Sequence, residues 1–240
     1  MALRRVVVDD VQAGEAAVEG ADAHHLARVV RLKIGEEVEI SDGRRLFRAR
    51  VTDAAQQRVR FVVEEELATL HDAAPEVVLQ IALFQFPRFE WALEKATELG
   101  VVRVVPVIAE RSENHLVKAA PKRLERWRRI AEQAAQQSRR MAAPLIDEPL
   151  EFDALLSGES AGPRLVLHPG GDPLAAVLAQ ASGQPFRLLV GPEGGWTDTE
   201  IASAETAGYR RAGMGGLILR CETAAIAALS VITHMVRDER

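Results

Sequence analysis

An α/β fold in two parts, a small β-barrel followed by a parallel-sheet domain, is what the sequence predicts, and three observations predict it. Up to about residue 70 the chain holds short segments in which apolar and polar residues alternate, the pattern of half-buried strands. From Val77 onward, strand-like runs take turns with helical stretches, the period switch of parallel α/β construction. Between the two, Glu64, Glu65 and Glu66 open a charged, loop-like stretch that runs to Pro75. The expected domains are therefore 1–72 and 73–240.

In the first part, Arg4 to Val8, Glu37 to Ile40, Leu46 to Val51 and Arg58 to Val63 suit strands, with turn signals at Ser41 to Gly43 and around Asp53. His24 to Leu32 suits a short helix. Phe47, Ala49 and Val51 share one face of the third strand, and Arg44, Leu46, Arg48 and Arg50 share the other, because successive side chains alternate across a strand. Arg58 and Arg60 alternate in the same way. Antiparallel pairing would then assemble an arginine-bearing wall, either a phosphate-gripping surface or the solvated face of a sheet. His24 and His25 have no metal partners at useful spacing and read as packing or capping residues.

In the second part, Val77 to Leu83 begins the strands. A helix from about Arg88 to Leu99 stops at Gly100, with Trp91, Leu93, Ala96 and Leu99 as its apolar positions. Val101 to Ile108 is the next strand. Pro121 opens a helix at its first turn, with Leu124, Trp127, Ala131, Ala134, Ala135 and Ser138 as its stripe. Arg164 to His168 is a strand ending at Pro169, Gly170 and Gly171, and Asp172 with Pro173 starts a helix. Leu188 to Val190 is a buried strand that runs into a glycine-lined loop, Gly191 to Gly195, after which Thr197 and Glu200 have capping-box spacing. That helix ends at Gly208, Tyr209 to Arg211 is a short strand, and a second glycine turn follows at Gly215 and Gly216. The last helix, from about Glu222 to Val236, is apolar on so many sides that it belongs either inside the fold or against a second subunit.

Composition narrows the function classes. With 240 residues, 48% of them apolar, the chain can bury one large core or two modest ones. A net charge of −5 does not advertise nucleic-acid binding, so any RNA contact has to come from local patches. One such patch is residues 88–140, where twelve basic residues outnumber seven acidic ones, an excess of +5. It reads either as a seat for a phosphate backbone or as ordinary solvated helix faces. The single cysteine, Cys221, excludes an internal disulfide framework and a Cys-rich zinc site. No metal is expected, and the cysteine usage fits a reducing cytoplasm. No uncharged apolar run reaches the roughly eighteen residues of a membrane span, so a soluble, non-exported protein is expected.

Strand, glycine-lined loop and helix occur twice, at Leu188 to Glu200 and at Met214 to Ala224. Glycines remove side chains where backbone amides have to approach a ligand, and open parallel sheets bind ligands at the carboxyl ends of their strands. The loops after His168, Val190 and Gly213 would gather there. Such loops can also cradle an anion, but the chain has neither a Walker lysine-serine pair nor a strict G-x-G-x-x-G with its acidic partner.

Gly191, Pro192, Glu193, Gly194 and Gly195, followed by Ile218, Leu219, Arg220, Glu222 and Thr223, resemble the SPOUT class of RNA methyltransferases, specifically the RsmE family. Further stretches carry the same resemblance: His24 to Gly35, Glu98 to Gly100, Arg111 with Ser112, and Gln137 to Arg140. The resemblance implies a PUA-like RNA-binding β-barrel before a SPOUT-type, trefoil-knotted parallel-sheet domain, working as a cytoplasmic homodimer. It implies methylation of N3 of a uridine in 16S ribosomal RNA, free or within the 30S subunit, with S-adenosylmethionine as donor. The implied cofactor residues are Leu167, His168, Gly191, Pro192, Glu193, Gly194, Gly195, Met214, Gly215, Leu217, Leu219 and Arg220. Arg28, Arg31, Lys33, Arg48, Arg50, Arg88, Arg111 and Arg140 become RNA-binding candidates.

Methyl transfer is a displacement governed by alignment, and uridine N3 has to lose its proton, so a base or an anion-stabilising cation is useful. Arg220, Glu222 and Thr223 form the polar cluster beside the pocket and are the catalytic candidates. Arg220 would orient the uracil or stabilise its anion; Glu222 and Thr223 serve either there or as caps of the last helix. Two positions depart from the family pattern: Gln85 and Phe86 stand where a lysine-glycine pair is common, and Leu217 stands where an arginine is common. The competing readings are a non-catalytic RNA-binding or ribosome-assembly factor and a nucleotide-binding enzyme with the same loops.

Overall fold

The computed structural model describes residues 3–42, 45–69, 75–138, 140, 142–158 and 161–236. Gly43 of the first turn signal, Arg44 of the arginine face, the 72/73 boundary and Arg139 of the basic patch lie outside the described residues. The chain separates into two compact units, one drawn from residues 1–72 with 135–142 and the other from 73–134 with 143–240.

The first unit contains β1 (Arg4–Val7), β2 (Glu15–Glu19), α1 (Gly20–His25), a π-helical turn (Leu26–Val30), β3 (Glu37–Ser41), β4 (Arg45–Ala55) and β5 (Arg58–Thr69). The strands form one curled sheet in the order β1-β3-β4-β5-β2, wrapped on a core that includes Val38, Ile40, Phe47, Ala49, Val51, Val59 and Phe61. β1 runs parallel to β3 and the other pairs are antiparallel. The inward face of Phe47, Ala49 and Val51 is as the alternation predicts, but Leu46 is buried as well. The register shifts between Leu46 and Phe47, and a bulge of that kind turns two successive side chains to one side. The arginine wall is taken up by glutamates of the same unit. Arg48 pairs with Glu65, Arg50 with Glu37 and Glu64, and Arg58 with Glu19, so it is a ladder of ion pairs.

β2 escapes sequence reading because Glu15 to Glu19 holds one β-branched residue and relies on β5 for its pairing. The helix expected over His24 to Leu32 starts earlier and ends at Arg31, whose φ of 57° is left-handed. His24 and His25 are exposed in the last turn of α1, and His25 holds the N-cap position of the π-helical turn without a side-chain capping hydrogen bond.

The second unit contains β6 (Val77–Ala82), α2 (Phe86–Glu98), β7 (Arg103–Ile108), α3 (Asn114–Ala119), α4 (Leu124–Gln137), β8 (Leu145–Ile146), β9 (Leu150–Glu151), α5 (Phe152–Ser157) and β10 (Arg164–Pro173), α4 crossing into the first unit at its end. It continues with α6 (Leu174–Leu178), β11 (Phe186–Val190), α7 (Asp198–Thr206), β12 (Tyr209–Gly213) and α8 (Cys221–Met235). All strand pairs are parallel, in the order β12-β10-β11-β6-β7-β8, with β9 also on β7. The central strand β6 is buried along its whole length, as a strand covered on both faces has to be. Leu79, Leu165 and Leu188 join a core with Trp127 and the buried stripe of α8 on one face, while Leu189, Val166 and Ala82 meet Phe152, Trp196 and Ile201 on the other.

Gly100, with φ of 94°, stops α2 where expected. Trp91 does not join its apolar stripe: the buried residues are Phe86, Phe89, Ala92, Leu93, Ala96 and Thr97, which leaves Trp91 47% exposed. The neighbouring Glu90 draws in Arg123 and Arg126 at 3.4 and 2.9 Å. Glu90 is one of the seven acidic residues already counted, so the local excess of +5 stands. α8 buries one stripe, Cys221, Glu222, Ala225, Ala228, Leu229 and Ile232, and is half-buried or exposed elsewhere. β10 does not end at His168. It bulges after Leu167 and resumes at Asp172 and Pro173 against Ala212 and Gly213 of β12. Gly171 permits this, since a Cβ there would lie 2.7 Å from the backbone of Ala212, and one on Gly213 would lie 2.7 Å from the Gly171 carbonyl. β8, β9, α3 and α5 are too short to leave a periodic signal.

Candidate active site

Three strand ends converge at the carboxyl edge of the second sheet. The first loop leaves β11 at Val190. Gly191 sits against the Trp196 indole, and a Cβ there would come within 2.9 Å of its Nε1, so the ring closes the loop because residue 191 has no side chain. Arg111 Nη1 donates to the carbonyls of Gly194 at 2.6 Å and Trp196 at 3.3 Å, bracing the loop from the end of β7. The capping box forms as its spacing predicts. Thr197 Oγ1 accepts from the Glu200 amide at 3.2 Å, and Glu200 Oε2 accepts from the Thr197 amide at 2.8 Å. The other Glu200 oxygen accepts from the Glu110 amide at 2.8 Å.

The second loop leaves β12 and enters α8 at Arg220, whose backbone is extended. The third is the bulge of β10, where the Gly170 amide donates to His168 Nδ1 at 3.0 Å. With Nδ1 accepting, the proton of a neutral ring sits on Nε2.

Together the loops enclose a cavity of about 570 Å³. All the predicted cofactor residues line it: Leu167, His168, Gly191, Pro192, Glu193, Gly194, Gly195, Met214, Gly215, Leu217, Leu219 and Arg220. So do Arg88 and Arg111, which the sequence offered as RNA contacts. Trp196, Ile218 and Cys221 also line it; an aromatic directly after paired glycines was the available signal for the first. Arg28, Arg31, Lys33, Arg48, Arg50 and Arg140 belong to the first unit. Arg28, Arg31 and Lys33 are exposed.

The catalytic candidates separate. Arg220 lines the cavity and is exposed. Among the described residues no carboxylate forms an ion pair with it. Glu222 is buried behind the lining, its Oε1 3.9 Å from Arg88 Nε, and its Oε2 has no hydrogen-bond partner among the described residues. Thr223 is exposed and outside the lining. Neither caps α8 through its side chain, because the capping position falls on Arg220. Arg88 in turn donates to Glu193 Oε1 at 2.9 Å.

Burial first, then the carboxylates of Glu193 and Glu222, push the Cys221 thiol up to about 12, with Arg88 opposing. In the folded chain the thiol therefore keeps a proton that the unfolded chain gives up near its ordinary value of 9.0. The unfolded state binds fewer protons in that window, so stability is complete below about pH 9 and falls as pH rises toward about 12. In urea unfolding, the chain should lose stability across that window more steeply than Cys221→Ala.

Among the described residues no group of three or more His, Cys, Asp or Glu is placed to hold a metal ion, and no helix is long and apolar enough to cross a membrane.

Comparison with known proteins agrees with this geometry. Residues 72–233 match a family model described as an RNA methyltransferase domain, and residues 18–64 match an RNA methyltransferase PUA domain. Ribosomal RNA small subunit methyltransferase E of Synechocystis is 34% identical over 98% of this chain and 78% of its own. The enzyme of the same name from Mycobacterium tuberculosis is 34% identical over 90% of this chain and 85% of its own. Among solved structures, ribosomal RNA small subunit methyltransferase E from Neisseria gonorrhoeae bound to S-adenosyl methionine matches with a TM-score of 0.85 and 28% identity, covering 97% of this chain and 98% of that one.

Proposed function

The chain belongs to the ribosomal RNA small subunit methyltransferase E family, a SPOUT methyltransferase domain behind a PUA domain, and from that premise we propose that it methylates N3 of a uridine in 16S ribosomal RNA. It is an S-adenosylmethionine-dependent methyltransferase of small-subunit ribosomal RNA. The observation that carries the reading is the single cavity to which three chain-distant loops contribute every residue expected of a donor site.

The residues fit such a donor. Gly195 and Gly215 have positive φ and nothing within 4 Å of where a Cβ would stand, so backbone faces open space in both glycine loops. Leu167, Leu217 and Leu219 offer apolar surface for an adenine edge, and Glu193 offers negative charge for a cationic donor. When bound, S-adenosylmethionine supplies an electrophilic methyl carbon on a sulfonium. Arg220, exposed and cationic at the cavity, would hold a uracil carbonyl and stabilise the charge left when N3 loses its proton. Glu222, buried behind Arg88, supports the site indirectly, and Thr223 has no contact that supports a catalytic role.

In the first unit, exposed Arg31 and Lys33 support a phosphate contact, Arg28 donates from Nε and Nη2 to the Gln56 side-chain oxygen at 3.0 Å, and Arg48 and Arg50 would have to trade their glutamates for phosphates. Leu217 and Ile218, 81% and 92% exposed at the cavity, together with the half-buried side of α8, support a homodimer. The family resemblance supports a trefoil knot in the second unit and work in the cytoplasm.

Labelled S-adenosylmethionine incubated with small-subunit RNA or 30S particles lacking the modification, followed by mass spectrometry of nucleosides, tests the reading. Label in 3-methyluridine is expected. Binding of RNA without transfer, or saturable ATP binding without affinity for S-adenosylmethionine, would overturn it.

A further inference from the structure

Arg88 stands between two carboxylates of the donor cavity. Its Nη1 lies 2.9 Å from Glu193 Oε1, a hydrogen-bonded ion pair, while its Nε lies 3.9 Å from Glu222 Oε1, too long for a hydrogen bond. The two carboxylates differ in what they need. Glu193 has a side chain 36% exposed, in the glycine loop that lines the cavity, where water can solvate it. Glu222 has a side chain 9% exposed, and its Oε2 is buried without a donor among the described residues. An unsatisfied buried charge is the costlier of the two, yet the guanidinium rests on the other. Arg88 comes from the third residue of α2, and Glu222 from the first turn of α8, two helices packed on each other. A guanidinium with several donors on a flexible stem can move between such neighbours by rotamer change alone. Cys221, next to Glu222 in the chain, lines the same cavity as Arg88 and Glu193.

We propose that Arg88 is a two-position arm whose transfer from Glu193 to Glu222 uncovers the Glu193 carboxylate for the cationic sulfonium of the methyl donor, with Arg88 and Glu222 acting as positioning residues. The inference rests on the reading that this cavity holds S-adenosylmethionine. With the arm on Glu193, that carboxylate is neutralised and the cavity has little preference for a cation. With the arm on Glu222, the buried carboxylate gains its missing donor and the cavity wall carries net negative charge. The donor binds the second state better and so shifts the arm toward it. S-adenosylhomocysteine, the demethylated product, has a neutral sulfur and makes no such demand. The Glu193 carboxylate therefore favours the charged substrate over the spent product, and the arm weakens that preference by an amount that Glu222 controls without lining the cavity.

The ratio of the two dissociation constants, for S-adenosylmethionine and S-adenosylhomocysteine, measured calorimetrically on the full chain, reads this directly. Glu193→Gln should lower the preference for the methyl donor by about five- to tenfold, and Glu222→Gln should lower it comparably, because an amide cannot draw Arg88 away. Arg88→Gln should raise the preference by about fivefold by removing the competitor. In the Arg88→Gln background, Glu222→Gln should have no further effect on the ratio. An unchanged ratio in Arg88→Gln, or a Glu222→Gln effect that persists without Arg88, overturns the arm while leaving the functional reading intact. Equal weakening of both ligands by Glu222→Gln overturns it too. A native chain that binds neither ligand overturns the functional reading and the arm together.

Discussion

Arg220→Ala should lower methyl transfer by about 10²- to 10³-fold, the scale of losing one preorganised charge-stabilising group, while donor affinity changes by less than about threefold. The side chain is exposed at the cavity mouth, and among the described residues no carboxylate neutralises it. Its backbone carbonyl accepts the Ala224 amide at 2.8 Å and so starts α8, a contact that alanine keeps. The substitution therefore removes the cation without disturbing the loop. Single-turnover transfer to 30S particles, with donor binding measured separately, checks it. A variant with full transfer activity removes Arg220 from the chemistry. Parallel losses of binding and rate would assign it to the donor instead.

Trp127→Ala should destabilise the chain by about 3–5 kcal/mol. Trp127 is fully buried, with ring centroids 4.7 Å from Phe89 and 5.9 Å from Phe86, so it joins α4 to α2 beneath the helix that carries Arg88. Truncation leaves a cavity that these aromatic neighbours cannot fill without leaving their own packing. Trp127→Phe should cost less than about 2 kcal/mol, partly because the indole Nε1 is buried with no acceptor among the described residues and phenylalanine removes that unpaired donor. Urea denaturation of the two variants measures both values. Equal costs would mean that the nitrogen finds a partner in solution.

The contrast between Trp127 and Trp91 shows how far sequence reading reaches. Both fall in apolar-looking helical stripes, and only Trp127 is buried. Periodicity reports which residues share a face, but α2 already fills its core-facing side with Phe86, Phe89, Leu93 and Ala96. Glycine loops were legible because glycine serves few purposes at the end of a buried strand, and the capping box because its two residues satisfy each other locally. The ion-pair ladder of the first unit was not legible, since Arg48 meets Glu65 and Arg50 meets Glu37 and Glu64 only through strand register. The same limit hid the Arg88 cluster, whose members are 105 residues apart at the Glu193 contact. Chemistry that a loop carries in consecutive residues can be read from the chain, whereas chemistry assembled across elements depends on how they pack.

One carboxylate ties together segments 90 residues apart. Glu200 accepts the amide of Thr197 on one oxygen and that of Glu110 on the other. Those two amides share a single guard, so deuterium reaches both when the Glu200 side chain lets go. The turn after β7 and the start of α7 are thereby latched by one side chain, directly behind the Gly191 to Trp196 loop that lines the cavity.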